Sequence, residues 1–194
     1  MRLFRKPNFM QSGVERLKSQ LEIALGQSCN VYRHPSNNKK LPKVFVLLFH
    51  NYPNNGYLTA YSYGLSASIG SDKTTGRELA IQVKSSNENW GHILGFLISH
   101  LREDCPFDPG QIIRFGQSIS EDSTMQHFLV QDADHKIGPA SYQLNKRFSV
   151  NWVQLIPVYE QELAWINRYG FTLFLSKIDQ EKEDVQRKTI DSYK

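Results

Sequence analysis

Apolar and polar residues alternate most regularly in two runs in the first half of the chain. In Tyr57–Ser66, tyrosine and threonine alternate with leucine, alanine and serine, which is the two-residue period of a strand with two different faces. In Arg77–Lys84, Leu79, Ile81 and Val83 point to one side and polar residues to the other. The segment between the runs is rich in serine, glycine, aspartate and threonine. The pattern therefore predicts a half-buried β-hairpin with a long loop.

Other apolar runs predict further strands. Val44–Phe49 is apolar at every position, which is typical of a strand that is covered on both faces. The segment Asp132–Lys146 has no such pattern, and we predict an exposed loop there. The remaining strands are predicted at Cys29–His34, around Ile112 and Ile113, at Met125–Val130 and at Val150–Tyr159.

Three segments have the three-to-four-residue apolar spacing of amphipathic helices. The first, Gln11–Leu25, has a candidate N-cap in Ser12 and a candidate stop in Gly26. The others are Trp90–Arg102 and Glu160–Tyr169, and the second of these has acids in its first turn, where the helix dipole favours them.

The last part of the chain has a weaker pattern. Residues 171–178 fit either a short helix or a strand. Residues 179–194 carry nine charges, and we predict a solvated helix or a loose tail.

These elements predict the α+β class, with one mostly antiparallel or mixed β-sheet flanked by helices. No internal repeat or linker divides the chain, so we predict a single domain over residues 1–194. Its core is expected at about residues 30–178, with the helix at 11–25 and the charged segment at 179–194 as extensions.

The composition is that of an ordinary globular domain. Hydrophobic residues make up 40% of the 194 residues, which is enough for a core. The net charge is +4, but the basic residues are scattered, so we expect no nucleic-acid partner. No apolar run could span a bilayer and the N-terminus lacks the apolar part of a signal peptide, so we expect a cytoplasmic protein without a membrane partner. Cys29 and Cys105 are expected to be reduced.

One candidate nucleophile lies at the end of the first hairpin strand. The run Gly64–Ser68 is similar to the G-x-S-x-G nucleophile elbow, but serine replaces the last glycine and no helix-forming run follows. We therefore interpret Ser66 and Ser68 as structural hydroxyls.

Two other clusters contain chemically active side chains. His100 and Cys105 lie near the end of the second predicted helix, but their spacing does not place the imidazole on the thiol. Asp132, Asp134 and His135 could ligate a metal, but an EF-hand's third oxygen ligand and glycine are missing. Glycine-rich phosphate loops are also missing. We expect no cofactor and no metal, and a small hydrolase or metal-dependent enzyme that uses either cluster is the alternative function.

Short motifs follow one another from about residue 30 to residue 178. They are Tyr61–Ser66, Glu78–Ile81, Trp90 with the helix to Leu101, Gly110–Ile113, Ser118–Ile119, Met125–Leu129, Val153–Pro157, and Glu162–Leu163 ahead of Gly170. Their order and spacing resemble those of the suppressor of fused family, which includes an animal signalling regulator and many bacterial proteins.

The resemblance implies a compact domain without enzymatic activity that binds another protein. In animals the family sequesters a transcription factor, and the bound peptide adds a strand. Many bacterial members look like immunity proteins that neutralise toxins. Because 194 residues leave room for the shared domain and little else, the resemblance favours the bacterial, immunity-type function. The expected partner is a toxin domain or a regulatory protein, and the oligomeric state is left open.

Tyr61, Tyr63 and Glu78 are the candidate partner-binding residues. The alternating faces of their strands could expose them, and tyrosine is common at protein interfaces. The alternative is that both tyrosines pack beneath the helices.

Overall fold

A computed structural model describes residues 11–66, 75–139, 141–145 and 148–190 of the chain. This described part contains eight β-strands and four α-helices. None of the described helices is both long and apolar enough to cross a bilayer. The elements in chain order are α1 (Gly13–Leu25), β1 (Asn30–His34), β2 (Val44–His50), β3 (Leu58–Tyr63), β4 (Thr75–Val83), α2 (Asn89–Leu101), β5 (Ile112–Arg114), β6 (His127–Asp132), a 3-10 helix (His135–Ile137), β7 (Ser141–Asn145), β8 (Phe148–Val158), α3 (Glu160–Tyr169) and α4 (Phe171–Ile178).

All eight strands belong to one open, mixed sheet. Its order is β1-β2-β3-β4-β8-β6-β5, and β7 pairs with the first part of β8 outside this path. Strands β4 and β8 are parallel, with Glu78 opposite Trp152, and every other strand pair is antiparallel. The mixed sheet with its helices confirms the predicted α+β class. The antiparallel pairing of β3 and β4 confirms the predicted hairpin strands, but the half-buried character predicted for them is wrong, because residues 58–62 and 78–83 are buried on both faces.

Helix α1 begins and ends where the sequence predicts. The Ser12 N–H donates to the Glu15 carboxylate (2.8 Å) and the Glu15 N–H to the Ser12 hydroxyl (3.4 Å), which is a capping box. Gly26 ends the helix with φ = 67°, a left-handed conformation that glycine adopts without steric strain.

Strand β2 is apolar from Val44 to Phe49 because helices cover both faces of the sheet. Leu48 lies in the core beneath α2, whereas Leu47 and Phe49 lie in the core beneath α1. Helix α2 approaches the sheet closely at Gly91, where an added Cβ would lie 2.6 Å from Leu48 Cδ1. Successive residues of β2 therefore enter two different cores, so the continuous apolar run belongs to a strand that is buried on both faces.

A third apolar cluster lies beyond the end of β4, where α3, α4 and the C-terminal segment pack on β6 and β8. Residues 171–178 form a helix, which decides between the two structures that the sequence left open. The buried members of the cluster are Leu129, Ile156, Val158, Leu163, Ile166, Phe174, Ile178 and Ile190.

Two segments that the sequence predicts to be solvated are packed against the core. The described part of residues 132–146 is not an exposed loop, because it contains β7 and because Ile137 and Tyr142 are buried in the core beneath α1. The chain from residue 179 to residue 190 is neither a solvated helix nor a loose tail, because Val185 and Ile190 are buried. A backbone hydrogen bond from Lys84 N–H to the Glu183 carbonyl (2.7 Å) ties this segment to the end of β4.

Candidate protein-binding site

Glu78 is a buried acid at the point where β3 and β4 separate. The β3–β4 pairing ends with Tyr61 opposite Ala80, and beyond that point the Glu78 carboxylate accepts hydrogen bonds from the end of β3. The carboxylate thereby replaces backbone acceptors that β4 no longer supplies. Its donors are the hydroxyls of Ser62 and Ser66 and the N–H groups of Gly64, Leu65 and Ser66, at 2.5–3.3 Å.

A buried guanidinium supports the same turn from the other side. Arg102, just after α2, is 8% exposed and donates to the carbonyls of Pro42 (2.9 Å) and Gly64 (3.2 Å) and to the Ser36 hydroxyl. Burial lowers the pKa of Arg102. Gly64 therefore accepts from Arg102 while it donates to Glu78, so the turn after β3 is held by one buried cation and one buried anion.

A polar cleft of about 430 Å³ opens beside this turn. Arg77 Nη1 lies at its rim, where it donates to Asp108 Oδ1 and to the Pro106 carbonyl, each at 2.6 Å. The side chains of Arg77 and Asp108 are 33% and 60% exposed, so charges of both signs reach solvent. Such a cleft can receive polar side chains of a partner through charge-assisted hydrogen bonds. Other lining residues are Leu65, Arg102, Cys105, Asp132, Asn151 and Trp152.

The structure changes the placement of the three candidate residues. Tyr61 and Glu78 are both 0% exposed, so the expectation that they lie at the surface is wrong. Tyr61 packs edge-on against Trp152, with ring centroids 5.0 Å apart. Tyr63 is half-buried, and its hydroxyl lies against Gly13 of α1. Direct contact of Tyr63 with a partner stays a prediction, and any contribution of Tyr61 and Glu78 acts through the residues that they support.

Burial of Tyr61 predicts a specific loss of stability at high pH. Burial raises the pKa of its phenol, whose hydroxyl donates to the Ile137 carbonyl. Since the folded-state pKa exceeds that of the unfolded chain, the contribution is complete below about pH 10 and is lost as the pH rises further. Between pH 9 and pH 11, the wild type should lose about 1 kcal/mol more free energy of unfolding than Tyr61→Phe in urea titrations. Tyr169→Phe, at a site that is 48% exposed, should behave like the wild type. Equal pH dependence in wild type and Tyr61→Phe would contradict the prediction.

The groups of the alternative nucleophile sites have structural contacts. Ser66 is 4% exposed and donates to Glu78 at 2.7 Å, and Ser68 lies outside the described residues. The His100 ring stacks on Phe96, with centroids 4.0 Å apart. The Cys105 thiol accepts from Gln111 Nε2 at 3.2 Å. Among the hydrogen bonds of the described residues, none joins His100 to Cys105.

The two cysteines should differ in reactivity. Burial raises the pKa of the Cys29 thiol to about 11, whereas Cys105 is partly exposed. Because the thiolate is the nucleophile, iodoacetamide at pH 8 should modify Cys105 at least about tenfold faster than Cys29. Mass spectrometry of the labelled peptides measures both rates, and Cys105→Ser should leave only slow labelling. Equal rates in the folded protein would show that Cys29 is accessible and ionises normally.

The candidate metal ligands Asp132 and Asp134 have separate contacts in the structure. Asp134 accepts from Lys182 Nζ (2.9 Å) and from the Lys136 N–H (3.1 Å). Asp132 ends β6 and lines the polar cleft, and the His135 side chain lies outside what the structure describes. A search of the described residues finds no group of three His, Cys, Asp or Glu side chains arranged to hold a metal ion.

Sequence reasoning missed the charged residues of the cleft. The sequence pattern places Arg77 only at the start of a strand and Arg102 only at the end of a helix. An arginine directly after an apolar helix was the available signal, but it is equally typical of a side chain that faces the helix dipole. Asp108 had no signal, because its partner Arg77 is 31 residues away.

The fold and the site together define an α+β domain with an open mixed sheet, a buried ionic support and a polar surface cleft. The profile of the suppressor of fused protein family (SUFU) matches residues 40–187. The chain therefore belongs to the suppressor of fused family. No curated protein sequence matches.

Three solved structures resemble the fold. A protein described as a SUFU homolog from Neisseria gonorrhoeae FA 1090 has a TM-score of 0.69 at 18% identity, over 90% of this chain and 94% of that one. A Sufu–Fu complex gives 0.66 at 13% identity, over 91% of each chain. Drosophila Suppressor of Fused gives 0.59 at 14% identity, over 79% of this chain and 44% of that one.

Proposed function

We propose that this protein is a non-enzymatic, protein-binding domain that sequesters a protein partner. Family membership over residues 40–187 is the observation that carries the proposal. It is supported by the Sufu–Fu complex, in which a protein of the same fold is bound to another protein. The contacts of Ser66 and Cys105 also favour this function over the hydrolase alternative. The Ser66 hydroxyl and its Glu78 acceptor are both buried, and the Cys105 thiol accepts from the Gln111 amide, which is not a base.

The polar cleft is our candidate for the contact surface. Charged and amide side chains at its rim offer both donors and acceptors, and the buried support beneath keeps their backbone in place. A preorganised surface loses little conformational entropy when a partner binds. The cleft therefore suits a partner segment with charged side chains, bound through groups such as Arg77 and Asp108.

The finer proposal is that the partner is a toxin and that this chain is a cytoplasmic, bacterial immunity protein. Its support is the likeness of this fold to that of the Neisseria homolog over 94% of that protein's chain. Masking of a toxin needs a stable surface rather than a catalytic centre. The scattered positive charge of the sequence supports the expectation that nucleic acid is not the target.

Affinity capture from the native cell, with matched variants of the cleft, tests the binding function. Arg77→Glu reverses a charge at the cleft and should weaken retention of the captured partner at least about tenfold. Arg33→Glu makes the same change on an exposed residue of β1 and should leave retention unchanged. Equal retention by both variants would place the contact surface elsewhere, and absence of any stoichiometric partner would count against sequestration.

Co-expression tests the immunity function. The immunity function predicts that a gene beside this chain's gene encodes a toxin whose production stops growth, and that co-production of this chain restores growth. The Arg77→Glu variant should restore growth less well than the Arg33→Glu variant at equal protein levels. If a captured partner is not toxic, the immunity function fails while the binding function stands.

A hydrolase screen tests the alternative. The purified protein should not turn over ester, peptide or phosphate substrates. Turnover that is abolished by Cys105→Ser or Ser66→Ala would overturn the non-enzymatic proposal. Loss of turnover after chelation, with Asp134→Asn as the matched variant, would instead indicate the metal-dependent alternative.

A further inference from the structure

Ionisable side chains from three elements meet where β1 lies against the start of α2. The Glu88 carboxylate is their common partner: it lies 2.9 Å from His50 Nε2 and accepts from the Tyr32 hydroxyl at 3.0 Å. It also lies 3.7 Å from His92 Nε2. We call this set the histidine cluster, and its members are Tyr32, His34, His50, Glu88 and His92.

A direct contact between two imidazoles joins the strand to the helix. His34 Nε2 of β1 lies 3.3 Å from His92 Nδ1 of α2. The His34 ring lies on the helix backbone, because an added Cβ at Gly95 would be 2.4 Å from the ring. A hydrogen bond between two imidazoles needs one ring nitrogen to accept, so at least one of the two rings must be neutral. Burial lowers the pKa of His34, and the charge of the neighbouring His92 lowers it further.

Strand β1 has few other contacts that hold it in place. None of its five residues is buried, and only Tyr32 and His34 are partly buried. Both of these belong to the histidine cluster, whereas Val31 is 39% exposed. Segments with few buried contacts open locally at a small fraction of the global free energy of unfolding. The cluster and the pairing with β2 are therefore what keep β1 in place.

We propose that the histidine cluster is a proton-operated latch, which holds β1 against α2 near neutral pH and releases the strand in acid. When both nitrogens of His92 carry a proton, its Nε2 faces the Glu88 carboxylate. A proton on His34 then places two imidazolium rings 3.3 Å apart without an acceptor between them. The neighbouring cavity of about 300 Å³ adds no compensating acid, because its other described lining residues, Asn89, Ile93, Phe96, Phe115, Gln117, Ser118 and Ile119, are uncharged.

The direction of the effect follows from proton linkage. In the opened state His34 has the ordinary histidine pKa of about 6.5, so below that pH the opened state binds more protons than the closed state. The population with β1 open should therefore rise about tenfold between pH 7.5 and pH 5.

Amide hydrogen exchange, followed by NMR on the full chain, tests the latch. Protection factors of the Tyr32 and His34 amides, which face Val46 and Val44 of β2, should fall about tenfold between pH 7.5 and pH 5 in the wild type. His34→Gln keeps a donor and an acceptor without a titratable charge, and should remove this fall. His100→Gln changes a histidine of the same helix that stacks on Phe96, and should retain it.

A second measurement on the unaltered protein keeps the proposal testable if a variant folds poorly. The ring proton signals of His34 should titrate below the ordinary histidine pKa of about 6.5, and His92→Gln should move the His34 titration towards that value. Titration of His34 at or above the ordinary value would overturn the latch. So would protection factors of β1 that do not change with pH, or that change equally in the wild type and His34→Gln.

Discussion

Glu78→Gln should lower the free energy of unfolding by about 3 kcal/mol. Glutamine has nearly the same shape as glutamate, but its NH2 group is a donor and cannot accept from the surrounding hydroxyl and N–H groups. These donors would then share the single remaining acceptor oxygen. Because these donors are buried, losing their acceptor leaves them without water as a substitute. Urea denaturation measures the change, and amide exchange at Gly64 and Ser66 should accelerate more than at Leu48 in the core.

Glu103→Gln is the matched control for this prediction. Glu103 also accepts hydrogen bonds through its carboxylate, from Asn38 Nδ2 at 3.1 Å, but it lies at the surface. The same chemical change there should alter the free energy of unfolding by less than about 0.5 kcal/mol. A loss below about 1 kcal/mol for Glu78→Gln would show that the buried carboxylate is not what holds the turn after β3.

Arg187→Met should lower the free energy of unfolding by about 3–5 kcal/mol. Arg187 and Glu162 form a fully buried bidentate pair with both side chains 0% exposed, at 2.5 and 2.7 Å. The guanidinium also lies over the rings of Tyr159 and Phe174, 5.3 and 5.7 Å from their centroids. Methionine fills most of the space but leaves the Glu162 charge buried without a cation, and this uncompensated charge is the reason for the large loss.

A double-mutant cycle separates the ion pair from the packing. Arg187→Met combined with Glu162→Leu removes both charges and should be more stable than Arg187→Met alone, because no unpaired charge remains. Lys84→Met is the surface control. It breaks the pair with Asp184, in which the lysine side chain is 56% exposed, and should change stability by less than about 1 kcal/mol. Additive effects of the two buried changes would contradict the expected coupling.

These two predictions depend on residues whose roles the sequence concealed. Glu162 stands in the first turn of α3, where an acid is sufficiently explained by the helix dipole. Its partner Arg187 is 25 residues away in a segment whose charges suggested a solvated tail. Glu78 alternates correctly for an outward-facing position on its strand, but β3 separates from β4 beside it and turns the acid inward.

The sequence by itself determined what depends on local spacing. Periodicity located α1, the β3 and β4 strands and the apolar β2, and capping chemistry located both ends of α1, because each signal arises from residues that are neighbours along the chain. The ordered motifs also led to the suppressor of fused family.

Tertiary structure alone decided that both alternating faces of β3 became interior. Tyr61 is in the core because Trp152, from a strand far along the chain, packs against its ring. The cleft beside Arg77 and the contact of His34 with His92 likewise join residues 31 and 58 positions apart. A two-residue period shows that a strand has two faces. Whether one face or both are covered depends on the elements that pack against them, and that information is not local.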